Sequence, residues 1–454
     1  MIFGDEGYSM GENTKFHPID TDDLWEIWST LSAEERVEWF GQLDTVDAED
    51  FFSSIPCEDQ ADLLRLFPEK KQRHYFKGLA PDDAADVLQL FDEEDALREK
   101  MKNYLPERVR KEVTALMAYE EDEAGGLMSP RFARIRPDMH VDEAIAYVRK
   151  QIRDELETMY YIYVLDSQQH LLGVVSFEDL FKSPDDTVVS DIMEKDVTTV
   201  DEEMDQEEIA ILFAREDFFA LPVVTSDNVM VGIITIDDIV DVVTEEATED
   251  IQKLGGMSAL DSDYTQASKR EMYVKRVGWL VVLFLGTIVS TRAMAAYEEE
   301  MAKVIVLCTF VPLITASGGN TGSQAATMVT RAMALGELHL RDCLKVFGRE
   351  LVIGSELGAT LGILGFMIVC AYQWLGLLEN NAAGFWPLAF TIALSVFVLV
   401  LFGSILGSML PFLLKACHVD PASASAPFVT TIIDAMGIVI YFTIATLILT
   451  HVFV

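Results

Sequence analysis

Apolar and polar positions recur with different periods along the chain, and the changes of period mark its parts. After a polar start to about Asp20, expected to be flexible, three segments repeat: LSAEERVEWFGQL from Leu31, IPCEDQADLLRLF from Ile55 and LAPDDAADVLQLF from Leu79, spaced 24 residues apart. In each, an apolar residue precedes a turn, two acids open a helix, and apolar residues follow at helical spacing. Shorter helices such as DAEDFFSS and PEKKQRHYFKG lie between them. Helix pairs at a fixed period predict an all-α solenoid over residues 21–125. Ser32 with Glu35 has the capping-box pattern, and acids at helix starts suit the positive helix end. Asp82 and Asp86 sit four apart on one face, which opposes helix formation by ~0.2–0.5 kcal/mol unless something neutralises them.

A strand-rich repeat follows. Leu127-Met128 matches Ile192-Met193, and IYVLDSQQHLLGVVSFEDL matches LPVVTSDNVMVGIITIDDI. Each copy predicts a helix, two β-runs around a polar turn, and a short helix. The pair resembles tandem cystathionine-β-synthase-type (CBS) domains, an α/β architecture, over 126–188 and 189–243. That resemblance implies an adenine nucleotide, possible ATP, held by Ser176 and Asp179 and by Thr235 and Asp238. The competing reading is that these hydroxyl–carboxylate pairs only cap the next helix, and the many acids nearby would repel phosphates.

IDDIVDVVTEEATEDIQKL predicts a long connecting helix, assigned with its continuation to 244–275. Ile239, Val240, Val243, Ala247 and Ile251 share one side, while Asp238, Asp241, Glu245, Glu249 and Asp250 crowd the remainder. Lys253 before Gly255-Gly256 is a helix-end signal. A charge run is ordinarily a solvated face. This one has almost no interleaved Lys or Arg, so it is a candidate for closing on other acids with cations between.

Five apolar segments then predict an α-helical membrane domain over 276–454, at about 277–296, 303–330, 351–377, 386–413 and 427–451; about 20 apolar residues suffice to cross a bilayer. Lys269, Arg270, Lys275, Arg276, Arg331, Arg341, Lys345, Arg349 and Lys415 fall on one side, with Arg292 and Lys303 as exceptions. The positive-inside rule makes the N-terminus cytoplasmic and the C-terminus external. Pro312 and Gly318-Gly319 are expected to interrupt the second segment, which is tolerated only where backbone is buried or lines a watery cavity. Asn320 and Gln324, with Thr430 and Thr431 in the last segment, add polar groups. Asp434 stands near the middle of that segment. An acid there costs roughly 2.5–3.5 kcal/mol to insert and marks a functional site by default, the alternative being a protonated acid bonded to a neighbouring helix. Carbonyls, amides, hydroxyls and one carboxylate suit Mg²⁺, which keeps part of its water shell. Glu356, a second intramembrane acid, is expected to pair internally.

Charge sharpens the division. The chain carries 34 Lys/Arg and 75 Asp/Glu, a net −41, but the part from Val277 onward holds only seven and ten of these. A very acidic half therefore precedes an apolar one. Phosphate repulsion excludes nucleic acid as a partner, and divalent cations become the natural counter-ions. The five cysteines show no disulfide or zinc spacing. The start of the chain has no signal-peptide pattern. The histidines form no HExxH, which sets aside a membrane metalloprotease; nothing calls for covalent chemistry, and no enzyme activity is expected.

PLITASGGNTGSQAATMVTRAMALGEL, DPASASAPFVTTIIDAMGIVIYF and EEATEDIQKLGG, together with the domain order, resemble the MgtE family of magnesium channels. The resemblance implies a homodimer in the cell membrane, with a pore between two membrane domains. It makes Asp434 the pore carboxylate, with the Asn320 region and Thr430 near the ion path. It implies a Mg²⁺ sensor at Asp50, Asp82 and Asp86, at Asp205, Glu207, Asp217 and Asp238, at Asp241, Glu246, Glu249 and Asp250, and at Asp420. Ala426 departs from an Asn of some members. The function implied is inward Mg²⁺ flow, gated shut by cytoplasmic Mg²⁺; a proton- or sodium-coupled exchanger using Asp434 is the alternative.

Overall fold

A computed structural model describes residues 20–91, 95–152, 156–216, 218–260, 264, 267–378 and 383–450. The N-terminal stretch expected to be flexible lies outside them but for Asp20, and Asp217 lies outside them too. The chain forms two compact units, residues 1–240 with 262–266, and 241–261 with 267–454.

The first unit begins with eight short helices: α1 (Thr21–Trp28), α2 (Ala33–Phe40), α3 (Thr45–Ser54), α4 (Cys57–Leu66), α5 (Glu69–Phe76), α6 (Pro81–Gln89), α7 (Asp95–Lys102) and α8 (Glu107–Leu116). The three repeated segments supply α2, α4 and α6, each starting two residues after the first residue of its segment. Ser32 and Glu35 close the capping box, with Ser32 N donating to Glu35 Oε2 at 2.9 Å. The core is aromatic: Phe40, Phe52 and Phe67 are buried and pack with Tyr75, and buried Phe51 packs on Phe40 and Trp28. One ion pair is sealed inside it. Arg36 pairs with Asp59, and Trp28 Nε1 donates to Asp59 Oδ2 at 2.6 Å. Removing one partner of such a pair strands a buried charge, which is strongly destabilising.

The rest of the first unit is two matched modules. The first contains α9 (Ala124–Leu127), β1 (Arg134–Ile135), α10 (Val141–Gln151), β2 (Tyr161–Leu165), β3 (Leu171–Ser176) and α11 (Phe177–Lys182). The second contains α12 (Val189–Ile192), β4 (Val200–Asp201), α13 (Gln206–Glu216), β5 (Ala220–Val224), β6 (Met230–Thr235) and the start of α14 (Ile236–Leu254). Each sheet has a parallel pair then an antiparallel one, and the registers correspond, Val164 facing Gly173 and Val223 facing Gly232. The matched methionines now have a physical reason: the modules exchange entry segments. Ser129 N donates to Ile233 O at 2.8 Å and Glu194 N to Val174 O at 2.9 Å. A Cβ on Gly232 would lie 2.7 Å from Met128 Cγ, and one on Gly173 2.5 Å from Glu194 O. Only glycine lets the other module's segment lie so close.

In the second unit α14 ends at Leu254, where Gly256 takes φ +76°. The connection is therefore not one helix to residue 275, because the left-handed glycine turns the chain before α15 (Lys269–Ala296) begins. There follow α16 (Glu298–Lys303), α17 (Val306–Ala334), α18 (Cys343–Trp374), α19 (Phe385–Ala416) and α20 (Ala426–Ile448). Among the described residues four helices are long and apolar enough to cross a membrane: α15, α18 with its preceding turn, α19 and α20. Within the 29-residue α17, Gly, Ser, Thr and Asn dilute the apolar residues.

Apolar α19 lies against α17, α18 and α20 and buries Leu399 and Val400 with Ile314 and Ile433. Glycines set that packing. A Cβ on Gly403 would meet Gly318 O at 2.4 Å, and one on Gly407 would meet Gly322 O at 2.0 Å. Two glycines four apart on each helix thus bring the backbones of α17 and α19 together, small residues being what lets helices approach so closely. This corrects the expected interruption of the second segment. The helix runs unbroken through Pro312, Gly318 and Gly319, because the glycines serve close helix contact rather than a break.

Candidate functional site: a membrane carboxylate and two acidic groups

α17 and α20 meet through small and hydroxyl residues. A Cβ on Gly319 would lie 3.0 Å from Thr430 Cγ2. Ser323 Oγ is 3.2 Å from Thr430 Oγ1, and Thr430 Oγ1 donates to Ala426 O at 2.8 Å. Thr431 likewise donates to Pro427 O at 2.8 Å, and Thr315 to Val311 O at 3.1 Å. These hydroxyls bond carbonyls of their own helices, whereas carbonyls freed by broken helices had been expected. Pro427 lies in the first turn of α20, with Ser425 as N-cap, so it starts a helix and interrupts none.

Asp434, one turn beyond Thr430, is half-buried, and among the described residues no basic side chain pairs with it. Asn320, three residues before Ser323, is exposed on α17. The structure thus places Thr430 and Ser323 in contact, with Asn320 and Asp434 each about a turn away along its helix. Glu356 is exposed on α18, and among the described residues no side chain pairs with it. Glu350, unnoticed in the sequence, turns inward instead and accepts from Ser404 Oγ at 2.6 Å.

In the first unit, Asp82, Asp86 and Asp238 come together. Asp82 is 8% exposed and its Oδ1 has no hydrogen-bond partner among the described residues. Burial first, then the charges of Glu157, Asp83 and Asp238, hold its carboxyl well above the usual range. Asp86 is pushed up to about 8 by burial, then by Asp83, Glu121, Asp238 and Glu58. Asp238 is raised to about 7, mainly by burial, although Thr235 Oγ1 donates to it at 2.7 Å. Glu157, Glu121 and Glu58 complete this group; each sits in an unremarkable acidic stretch, so no local pattern marks them.

The second unit gathers Glu246, Glu249 and Asp250 of α14 with Asp420. Asp250 is raised to about 6 by burial and then by Asp420. Lys253 occupies the middle: its Nζ donates to Asp420 Oδ2 at 2.6 Å and lies 2.5 Å from Glu249 Oε1. Asp420 Oδ1 accepts from Ala422 N at 2.8 Å. Lys253 had been read only as a helix-end residue.

The other expected sensor positions are more open. Asp50, Asp205, Glu207 and Asp241 are exposed, and Asp205 Oδ1 accepts from Glu207 N at 2.9 Å at the start of α13. Among the described residues no three His, Cys, Asp or Glu side chains converge tightly enough to hold a metal within one chain. The nucleotide candidates bond to one another within each signature, and Ser176 caps α11. Ser176 Oγ accepts from Asp179 N at 3.0 Å and donates to Asp179 Oδ2 at 2.6 Å, and Thr235 Oγ1 likewise donates to Asp238 Oδ2 at 2.7 Å.

Comparison with known proteins follows the same division. Residues 311–444 match a family described as divalent cation transporters, residues 19–122 an MgtE intracellular N domain, and residues 124–186 and 189–245 CBS domains. The magnesium transporter MgtE of Thermus thermophilus is 41% identical over 358 residues, 79% of this chain and 77% of that protein. Its counterpart in Enterococcus faecalis is 33% identical over 338 residues, 74% and 71% of the two chains. A crystal structure of the cytosolic domain of the Mg²⁺ channel MgtE in complex with ATP is 40% identical, covering 49% of this chain and 90% of that one, with a TM-score of 0.46.

Proposed function

Because the chain belongs to the MgtE family of magnesium transporters, we propose that it is a Mg²⁺ channel of the cell membrane, opened and closed by the acidic groups of its cytoplasmic part. The observation that carries this reading is Asp434: a half-buried carboxylate on an apolar helix with no basic partner among the described residues. Thr430, Ser323 and Asn320 flank it with oxygens that suit a partly hydrated divalent ion. α15, α17, α18, α19 and α20 form five spans, the N-terminus is cytoplasmic and the C-terminus external. Two copies enclose the pore, and α15, with no residue buried within its own chain, offers surface for lipid or the second copy. The N-terminal helices stack as a short solenoid.

Membrane potential drives the ion inward, at about 4.6 kcal/mol per 100 mV for two charges. The acids provide the control. When Mg²⁺ is scarce, Asp82, Asp86 and Asp238 repel one another, as do Glu246, Glu249, Asp250 and Asp420, and the pore opens. When it is plentiful, Mg²⁺ bridges these groups, with Asp50, Asp205, Glu207, Asp217 and Asp241 as further anchoring points, and the pore closes. A nucleotide in the CBS pair would use the Asp179 and Asp238 carboxylates as acceptors for ribose hydroxyls; these signature residues bring no cation for phosphates.

Flux into vesicles containing the purified protein tests the proposal. Asp434→Ala should lower Mg²⁺ entry at least about tenfold, the equivalent of ~1.4 kcal/mol, and entry should persist without a proton or sodium gradient. Full flux in the variant removes Asp434 from the path, and a required gradient makes the protein an exchanger.

A further inference from the structure

The exit from α14 and the entry to α20 meet at one side chain of α15. α14 ends in a left-handed turn, Gly256 N donating to Lys253 O at 2.8 Å and Met257 N to Gln252 O at 3.2 Å. Gly256 is buried and takes φ +76°, which glycine adopts without strain. A Cβ there would lie 2.8 Å from Trp279 Cδ1, 2.9 Å from its Nε1 and 3.3 Å from Pro427 Cγ. Ser258 N donates to Lys275 O at 3.0 Å, so the turn is tied to α15 one helical turn before Trp279.

The same indole holds α20. Its Nε1 donates to Ser425 Oγ at 3.2 Å, and its ring packs on Phe428 with centroids 5.7 Å apart. Ser425 is fully buried and is the N-cap of α20, yet its hydroxyl makes no capping bond. A serine in this place ordinarily accepts from an amide of the first turn; this one takes the indole N–H instead. Tryptophan at a membrane edge is ordinarily an anchor among headgroups. Trp279 turns its N–H onto a buried hydroxyl, so anchoring does not account for it. The turn of α20 so held carries Ala426 O, which accepts from Thr430 Oγ1 at 2.8 Å and from Ser323 Oγ at 3.3 Å.

We propose that Trp279 is a positioning residue that joins the control acids of α14 to the ion path. It fixes the first turn of α20 to the last turn of α14, so that a displacement of α14 moves the Ser323 and Thr430 oxygens. Only the consequence for ion flow rests on the channel reading.

Two measurements test it, one of them blind to conduction. Hydrogen exchange of the full-length protein follows residues 428–432 at the start of α20. Gly256→Ala should speed this exchange at least about threefold in the parent protein and add nothing to Trp279→Phe or to Ser425→Ala, as one shared chain of contacts requires. Undiminished speeding in those backgrounds would mean that Gly256 acts on Pro427 directly, and overturns the proposal, as does no speeding in the parent. The second measurement is Mg²⁺ current in patches with stepped internal Mg²⁺. Trp279→Phe and Ser425→Ala should each raise the half-closing concentration at least about threefold, the double variant no more than either alone, with the current through one open channel unchanged. A lower melting temperature with an unmoved midpoint would make the contact merely structural and overturns the proposal. So do additive shifts, or an altered single-channel current, which would put Ser425 in the path itself. A parent protein that Mg²⁺ does not close refutes the channel reading instead, and the exchange measurement then decides alone.

Discussion

Lys253 places an ammonium between Glu249 and Asp420, in the group of acids where a metal ion was expected to be needed. The neighbouring carboxylates raise its pKa despite partial burial, so it is charged at any physiological pH. It relieves part of the repulsion that opens the channel in the proposed mechanism, and it competes with Mg²⁺ for the same oxygens. Lys253→Met should therefore raise flux at low cytoplasmic Mg²⁺ and make closure more dependent on the ion. The pair is partly exposed, so the expected change in half-closing Mg²⁺ concentration is about two- to fivefold, in line with ~0.5–1 kcal/mol for such pairs. Electrical recording from patches with stepped internal Mg²⁺ measures it; an unchanged midpoint means that Lys253 is a bystander. The residue scale is also where sequence reading did least. Lys253 and Asp420 are 167 positions apart, and nothing local to either announces the other.

At the scale of elements, the membrane part depends on how closely α17 and α19 approach. Gly403 and Gly407 leave no room for a side chain against Gly318 O and Gly322 O. Gly407→Val should force the helices apart and lower thermal stability in detergent, the overpacking costing ~1–3 kcal/mol or more. Gly348 of α18, where an added Cβ meets nothing within 4 Å, supplies the control: Gly348→Ala should leave the melting temperature unchanged or raise it, since alanine favours a helix over glycine. Equal stability of Gly407→Val and the parent protein would mean that the crossing is not tight. The composition of α17 was legible, but its consequence was misread. Gly318 and Gly319 resemble helix breakers in isolation; packed between α19 and α20, the same residues are the means of close approach.

At the scale of the whole molecule, the proposed mechanism makes the clustered acids of the first unit respond to both Mg²⁺ and pH. Asp86 and Asp238 titrate near 8 and 7, raised from the ordinary carboxylate range. The folded arrangement thus holds more protons than the unfolded chain between about pH 4 and 8. Without divalent ions its stability should rise as pH falls through that window, because protons relieve the repulsion that Mg²⁺ otherwise relieves. Hydrogen exchange of the full-length protein should show α6 and the start of α14 better protected at pH 6 than at pH 8 in chelator, with rates compared after correction for intrinsic exchange. Added Mg²⁺ should remove most of the difference. A pH response that Mg²⁺ leaves intact would separate the acids from sensing.

The sequence by itself determined the order of parts, the 24-residue helical repeat, the paired strand-rich modules, the apolar helices and the family, because each is written in local period or in contiguous motifs. It also picked out Asp434, since a charge within an apolar run is conspicuous without any knowledge of its neighbours. Tertiary structure decided which acids meet. Asp82 and Asp86 acquire raised pKa values only when the fold buries them beside Asp238, Glu157 and Glu121. It also decided that entry segments cross between modules, that α17 stays whole, and that a lysine stands beside Asp420. Burial and electrostatic coupling depend on distance in space, and a one-dimensional pattern carries that distance only for near neighbours along the chain.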